Sequence, residues 1–198
     1  MDKIWGVILA GGSSTRMGKQ KMLLPFEGKT IIETVIEKVI PILKSNIFVV
    51  LGSHRDEIKR QICKLPVTVI VNENYKEGML SSVICGIQEI PFNAEGVMIF
   101  LGDQPQIPVS AIYKVAETAE QSEKGIVIPT FNGKRGHPVF IDLKYRKEIK
   151  QLDPNKGLRE LMLNNENDIM EEECGVEEIL RDIDTPQDYE KEINKKTK

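Results

Sequence analysis

The chain has 198 residues, 40% of them hydrophobic and 29% charged, with a formal net charge of −3. That is the make-up of one ordinary globular domain with a sizeable core. It excludes a broadly basic face for duplex nucleic acid, and no apolar run reaches the roughly 18 residues that cross a bilayer. Cys63, Cys85 and Cys174 are isolated and odd in number, which fits reduced thiols. Two histidines without a C-x-x-C pair exclude a conventional zinc site. The opening M-D-K-I-W-G lacks the layout of a signal peptide, so a cytoplasmic protein is expected.

Ile4–Leu9 reads as a buried first strand. It runs into V-I-L-A-G-G-S-S-T-R-M-G-K-Q-K-M-L-L-P, residues Val7 to Pro25. Gly11 and Gly12 let the chain turn tightly and bring backbone N–H groups close to phosphate oxygens. Arg16, Lys19 and Lys21 follow where such an anion would sit and can neutralise it. The spacing is neither a Walker A loop nor a dinucleotide fingerprint. Ser13 lies five before Gly18, Gln20 follows Lys19, and Gly11 and Gly12 are adjacent. A plain glycine turn with exposed cations is the alternative at this point.

Strand-like and helix-like segments then alternate. Thr30–Ile40 has apolar residues at 31, 32, 35, 36, 39 and 40, one face of a helix that Pro41 is expected to end. Ile47–Leu51 and Val67–Val71 read as strands around a helix Asp56–Cys63, with His54 in a structural place at its start. Gly78, Ser81 and Ser82 open a helix Leu80–Ile90; small residues there offer N–H groups and hydroxyls to a base or phosphate, or form an ordinary helix start. Gly96–Leu101 and Gly125–Pro129 are strands around the helix Pro108–Ala119. Thr130–Pro138 is a polar loop before a short strand Val139–Ile141, and Gly157–Asn164 is a helix. Val176–Asp182 reads as a late antiparallel strand, and Thr185-Pro186-Gln187-Asp188 as a capping box opening the last helix. The domain is expected to span 1–193, with 194–198 a solvated tail.

This alternation predicts α/β: a single Rossmann-like three-layer α/β/α domain, its sheet mostly parallel with one late antiparallel strand. Ligands of such sheets bind beyond the strands' carboxyl ends, where the glycine loop, Gly102-Asp103 and the turn after Val71 can converge. Asp103, in L-G-D-Q-P at a strand end, is the first metal candidate, since Mg²⁺ takes a few carboxylates plus phosphate oxygens. A turn aspartate before Pro105 is its bland alternative. Asp182 and Asp184 alternate, so they share a face that could complete a metal site, unless Asp184 only starts the next helix. His137, between Gly136 and Pro138, touches substrate or merely braces its loop.

Taken together, L-A-G-G-x-S-x-R-M-G-x-x-K from Leu9, L-G-D-Q-P from Leu101, G-H-P-V from Gly136, G-L-R-E-L-M from Gly157 and D-I-D-T-P-x-D from Asp182 resemble the molybdenum-cofactor nucleotidyltransferase family. The downstream motifs are similar to its cytidylyltransferase branch. The resemblance implies a nucleotide-diphospho-sugar-transferase-like fold and transfer of CMP from CTP to the molybdenum–molybdopterin cofactor, with Mg²⁺ and release of pyrophosphate. It implies that Leu9, Ala10, Gly11, Gly12, Gly78, Ser81 and Ser82 hold the nucleotide, and that Arg16 and Lys21 neutralise the triphosphate. It further implies that Asp103, with Asp182 and Asp184, takes the metal, that His137 faces the pterin, and that a molybdenum hydroxylase is a transient partner. Gly11 departs toward the guanylyltransferase spelling, where cytidylyltransferases often have Ala. Guanylyl transfer, a sugar-phosphate acceptor and a non-catalytic cofactor carrier are the alternatives.

Overall fold

A computed structural model describes residues 1–12 and 17–195. In chain order, β1 (Ile4–Ala10) leads to a small hairpin, β2 (Pro25–Phe26) with β3 (Lys29–Thr30), then α1 (Ile31–Leu43) and β4 (Ile47–Leu51). Next come α2 (Arg55–Ile62), β5 (Thr68–Val71), α3 (Met79–Glu89), β6 (Gly96–Leu101) and α4 (Val109–Gln121). A hairpin of β7 (Ile126–Phe131) and β8 (Lys134–Arg135) precedes β9 (Val139–Asp142), α5 (Arg146–Ile149), α6 (Leu158–Asn164), β10 (Ile169–Glu173) and α7 (Pro186–Lys195).

The main sheet has the order β10-β7-β9-β6-β1-β4-β5, with β8 paired to β7. β6, β1, β4 and β5 are parallel to one another, β10 is parallel to β7, and β9 runs antiparallel between β6 and β7. The central strands are apolar at every position because helices cover both faces. Alternation assigns the sides: Ile8, Val49, Met98 and Phe100 pack with Ile32, Ile36 and Ile112 on one face. Val7, Leu9, Val50 and Ile99 pack with Val83, Ile87, Ile149 and Leu161 on the other. Each such side chain contributes roughly 1.5–3 kcal/mol by leaving water, so the two layers hold the sheet rigid between them.

Several expectations need correction. Pro41 does not end α1, which runs on to Leu43. The proline removes one N–H only, its fixed φ suits a helix, and burial of Ile42 and Leu43 outweighs that loss in the last turn. The Lys44 N–H closes the helix on the Ile40 carbonyl at 2.8 Å. Val176–Asp182 is not a strand: Glu177–Leu180 is a 3-10 turn. The antiparallel strand is β9, and the late strand, β10, lies earlier and is parallel. Thr130–Pro138 is part hairpin, closed by Asn132 and Gly133 at φ 51° and 72°, the left-handed pair of a tight two-residue turn. α7 runs to Lys195, and 196–198 lie outside the described residues.

The capping box is present, with Thr185 Oγ1 accepting from the Asp188 N–H at 3.2 Å and Asp188 accepting from the Thr185 N–H at 2.9 Å. The three cysteines are free. Among the described residues no helix is long and apolar enough to cross a membrane.

Candidate functional site

The chain builds β1, β4 and β5 outward on one side and then crosses to β6 on the other side of β1. The carboxyl ends of β1 and β6 therefore flank the point where strand order reverses, the place such sheets leave open for a ligand. Gly11 and Gly12 follow β1 there, and Gly102 and Asp103 follow β6. Gly102 donates its N–H to the Leu9 carbonyl at 3.0 Å, and a Cβ on it would stand 2.9 Å from that oxygen. Only glycine lets the two loops come this close.

Lys21 begins a short 3-10 turn (Lys21–Leu23) and is buried, with its ammonium 2.6 Å from Asp103 Oδ2 and 2.8 Å from Asp184 Oδ1. Burial opposes that charge, but Asp103 and then Asp184 outweigh it and hold Lys21 above its ordinary pKa. The Ile183 N–H bonds the Asp103 carbonyl at 3.1 Å, which brings the segment carrying both later aspartates alongside. Asp182 turns to Gln104, whose Nε2 donates to it at 2.7 Å. Partial burial, then the neighbouring charge of Asp103, pushes the Asp182 carboxyl upward despite that bond.

The residues present fit a divalent ion. Asp103 Oδ1 is buried and accepts no hydrogen bond among the described residues. A hard oxygen left so is suited to a cation, with Asp182 or Asp184 as second carboxylate. Among the described residues no three of His, Cys, Asp or Glu form a complete metal cage. Mg²⁺ does not need one, since one or two carboxylates and substrate phosphates suffice.

Beside this cluster lies an open cavity of ≈ 660 Å³, within the usual range for a small-molecule site. Leu9, Ile99 and Val139 form its floor, and His137, Met162 and Arg159 are among its walls. His137 also faces Lys38 and Gln104 across its other edge. Its backbone N–H bonds Ile179 at 3.1 Å, and Gly136 presses against that same carbonyl, where a Cβ would stand 2.4 Å away. Burial pushes the imidazole down to about 4, although Asp103 pulls the other way, so the ring is neutral near pH 7.

The remaining sequence candidates divide. Arg16 lies outside the described residues. Ala10 is buried, so only its backbone can meet a nucleotide, whereas the Leu9 side chain lines the cavity. Gly78 stands at φ 101° as the cap of α3. Ser81 and Ser82 are held by Asn72, whose Nδ2 donates to their hydroxyls at 2.9 and 3.0 Å. They shape the rim rather than point free from it. Asn72, Gln104, Gln106 and Lys38 were not singled out from sequence. Lys38 donates to the Pro105 carbonyl and Gln106 to that of Arg181, which pins the Asp103 loop and the Asp182 segment. The signal for them was weak: D-Q-P-Q marks a polar loop after a buried strand, and nothing more.

A family model described as "MobA-like NTP transferase domain" matches residues 6–169. The chain is 30% identical over 190 residues to the molybdenum cofactor cytidylyltransferase of Escherichia coli (strain K12), covering 96% of this chain and 95% of that one. It is 31% identical over 132 residues to a probable molybdenum cofactor guanylyltransferase of Natranaerobius thermophilus, covering 67% and 62% respectively. Rv0371c from Mycobacterium tuberculosis H37Rv shares the fold with a TM-score of 0.86 at 23% identity, covering 96% of this chain and 97% of that one.

Proposed function

The chain belongs to the MobA-like NTP transferase family, and from that premise we propose that it transfers CMP from CTP to the molybdenum–molybdopterin cofactor, releasing pyrophosphate. The observation that carries this reading is the Lys21–Asp103–Asp184 cluster at the strand-order reversal, with the ≈ 660 Å³ cavity opening beside it. One side of the cluster offers a glycine rim for a triphosphate. The other offers a cavity large enough for a pterin.

The acceptor's phosphate monoester is already ionised at neutral pH. Its oxygen attacks the α-phosphorus of CTP, one P–O bond forms, and the bond to pyrophosphate breaks. No proton must be removed, so the protein needs no general base. Its work is alignment and neutralisation of charge on the departing pyrophosphate. Gly11 and Gly12 would seat the triphosphate on backbone N–H groups, and Arg16 and Lys21 would offset its charge. Mg²⁺ held by Asp103 with Asp182 or Asp184 would supply further neutralisation at the phosphates. His137, uncharged near pH 7, would meet the acceptor by contact or hydrogen bond and not as a cation.

Cytidine is favoured because the cytidylyltransferase relative is 30% identical over 190 residues, whereas a probable guanylyltransferase of Geobacillus sp. (strain WCH70), matched along as much of the chain, is 27% identical. Gly11 favours guanosine. The protein should be incubated with the molybdenum cofactor, Mg²⁺ and each triphosphate separately, and the dinucleotide identified. The cytosine dinucleotide with pyrophosphate is expected. The guanine dinucleotide would reassign the base, turnover only with a sugar phosphate would reassign the acceptor, and no pyrophosphate with any triphosphate would mean a carrier.

A further inference from the structure

We propose that Lys21 holds the position of the divalent ion between Asp103 and Asp184, so that the metal enters together with the nucleotide and not before it. This rests on the reading that these carboxylates take a metal during transfer. The Lys21 ammonium spans oxygens of two aspartates 81 positions apart, at 2.6 and 2.8 Å. It is buried there and Asp103 is mostly so, so water screens that contact little, while the half-buried Asp184 leaves the second contact partly open to solvent. A divalent ion ligated by the same two carboxylates would approach their oxygens to about 2.1 Å and meet the ammonium at close range. Two cations cannot share that space without strong repulsion. One must leave for the other to bind.

The fold supplies Lys21 with somewhere to go. Its 3-10 turn begins nine positions after Gly12 in the chain, and the turn is fixed at its start by Gln20, whose side chain accepts from the Met22 N–H at 3.2 Å. The backbone is anchored while the four-carbon stem can swing. A triphosphate seated at Gly11 and Gly12 would draw the ammonium off the aspartates. The same event uncovers Asp103 Oδ2 beside Oδ1, which has no partner among the described residues, and brings phosphate oxygens to complete the ion's shell. Nucleotide and metal therefore bind with positive coupling, and Lys21 keeps the carboxylates from capturing a metal alone.

Mn²⁺ is a direct probe. Its binding should be titrated by electron paramagnetic resonance without nucleotide, for wild type, Lys21→Met and Lys19→Met. Lys21→Met should bind Mn²⁺ about tenfold tighter than wild type, with Lys19→Met within about twofold. With an α,β-methylene CTP analogue, wild-type affinity should rise by a similar factor. Equal or weaker Mn²⁺ binding by Lys21→Met overturns the proposal, and so does wild-type affinity that ignores the analogue. Should Lys21→Met fail to fold, the ammonium can be followed in wild type by ¹⁵N NMR. The analogue alone, without metal, must move the Lys21 signal, and an unmoved signal overturns the proposal. Neither readout uses turnover. Failure here while the dinucleotide still forms would reject this inference alone, and the converse would reject the proposed reaction alone.

Discussion

The two rims of the sheet carry charged clusters of similar composition in opposite condition. At the amino end, beside the starts of β7 and β10, Asp168 accepts the Tyr145 hydroxyl at 2.5 Å and pairs with Lys144 at 2.8 Å. Burial works against that carboxylate, but the Lys144 and Tyr145 hydrogen bonds outweigh it and bring it down to about 2. At the carboxyl end, Asp103 shares one lysine with Asp184, and Asp182 is pushed the other way. Asp103 Oδ1, Gln104 Oε1 and Gln106 Oε1 are buried there without hydrogen-bond partners among the described residues. A cluster whose bonds are made serves the fold. A cluster left short of partners, at the place where strand order reverses, is built for something that binds.

The largest expected effect separates the rims outright. Asp103→Ala should lower pyrophosphate release by at least about a thousandfold, the scale for losing a main electrostatic element of a transfer site. The fold should survive, because Lys21 keeps Asp184. Asp168→Asn should do the reverse: a stability loss of about 1–3 kcal/mol in urea, with turnover within about twofold. Wild-type turnover in the first variant would remove the contrast, as would a dead but stable second variant.

pH offers a finer separation, because the two rims respond in different windows. His137 has its folded pKa pushed from 6.5 to about 4, so the unfolded chain takes up that proton first. Its contribution to stability is complete above the ordinary histidine value and is lost as pH falls toward 4. Asp168 is held at about 2 against an ordinary 3.8, so its contribution persists through that window and is lost only below it. Urea midpoints across this range should show two steps. His137→Gln should flatten the upper and Asp168→Asn the lower. An unchanged upper step in His137→Gln would show that the imidazole does not titrate as its burial requires.

How much of this was legible in the sequence follows from the range of each interaction. Runs such as Ile47–Leu51 announce buried parallel strands, and the Thr185 capping box is local, so these were readable. β10 was not. Its I-M-E-E-E carries three glutamates, since an edge strand exposes one row of groups to water and charge there discourages unwanted pairing. The V-E-E-I-L stretch that imitates a strand turns instead, because Ile179 is buried against Gly136. Asp103 and Lys21 stood out as residue types. Their pairing did not, for it joins positions 82 residues apart that only the sheet order brings together.

The smallest expected effect tests the rim where sequence left the base open. Gly11 does not need a left-handed backbone, so alanine is conformationally allowed there. Its methyl would lie 3.3 Å from Ser82 Oγ and 3.5 Å from the Gly52 nitrogen. Ser82 cannot retreat freely, because buried Asn72 holds it and Ser81 together. The added carbon therefore narrows the rim by a few tenths of an ångström and should cost at most about 1 kcal/mol of stability. Ser82→Ala in the same chain should relieve that cost by removing the crowded oxygen. A narrower rim penalises a purine more than a pyrimidine, so Gly11→Ala should raise the ratio of kcat/KM for CTP over GTP by roughly three- to tenfold. An unchanged ratio would mean that the base is chosen away from the β1 rim. The contrast between rims would then stand, with the carboxyl end acting on phosphates and metal alone.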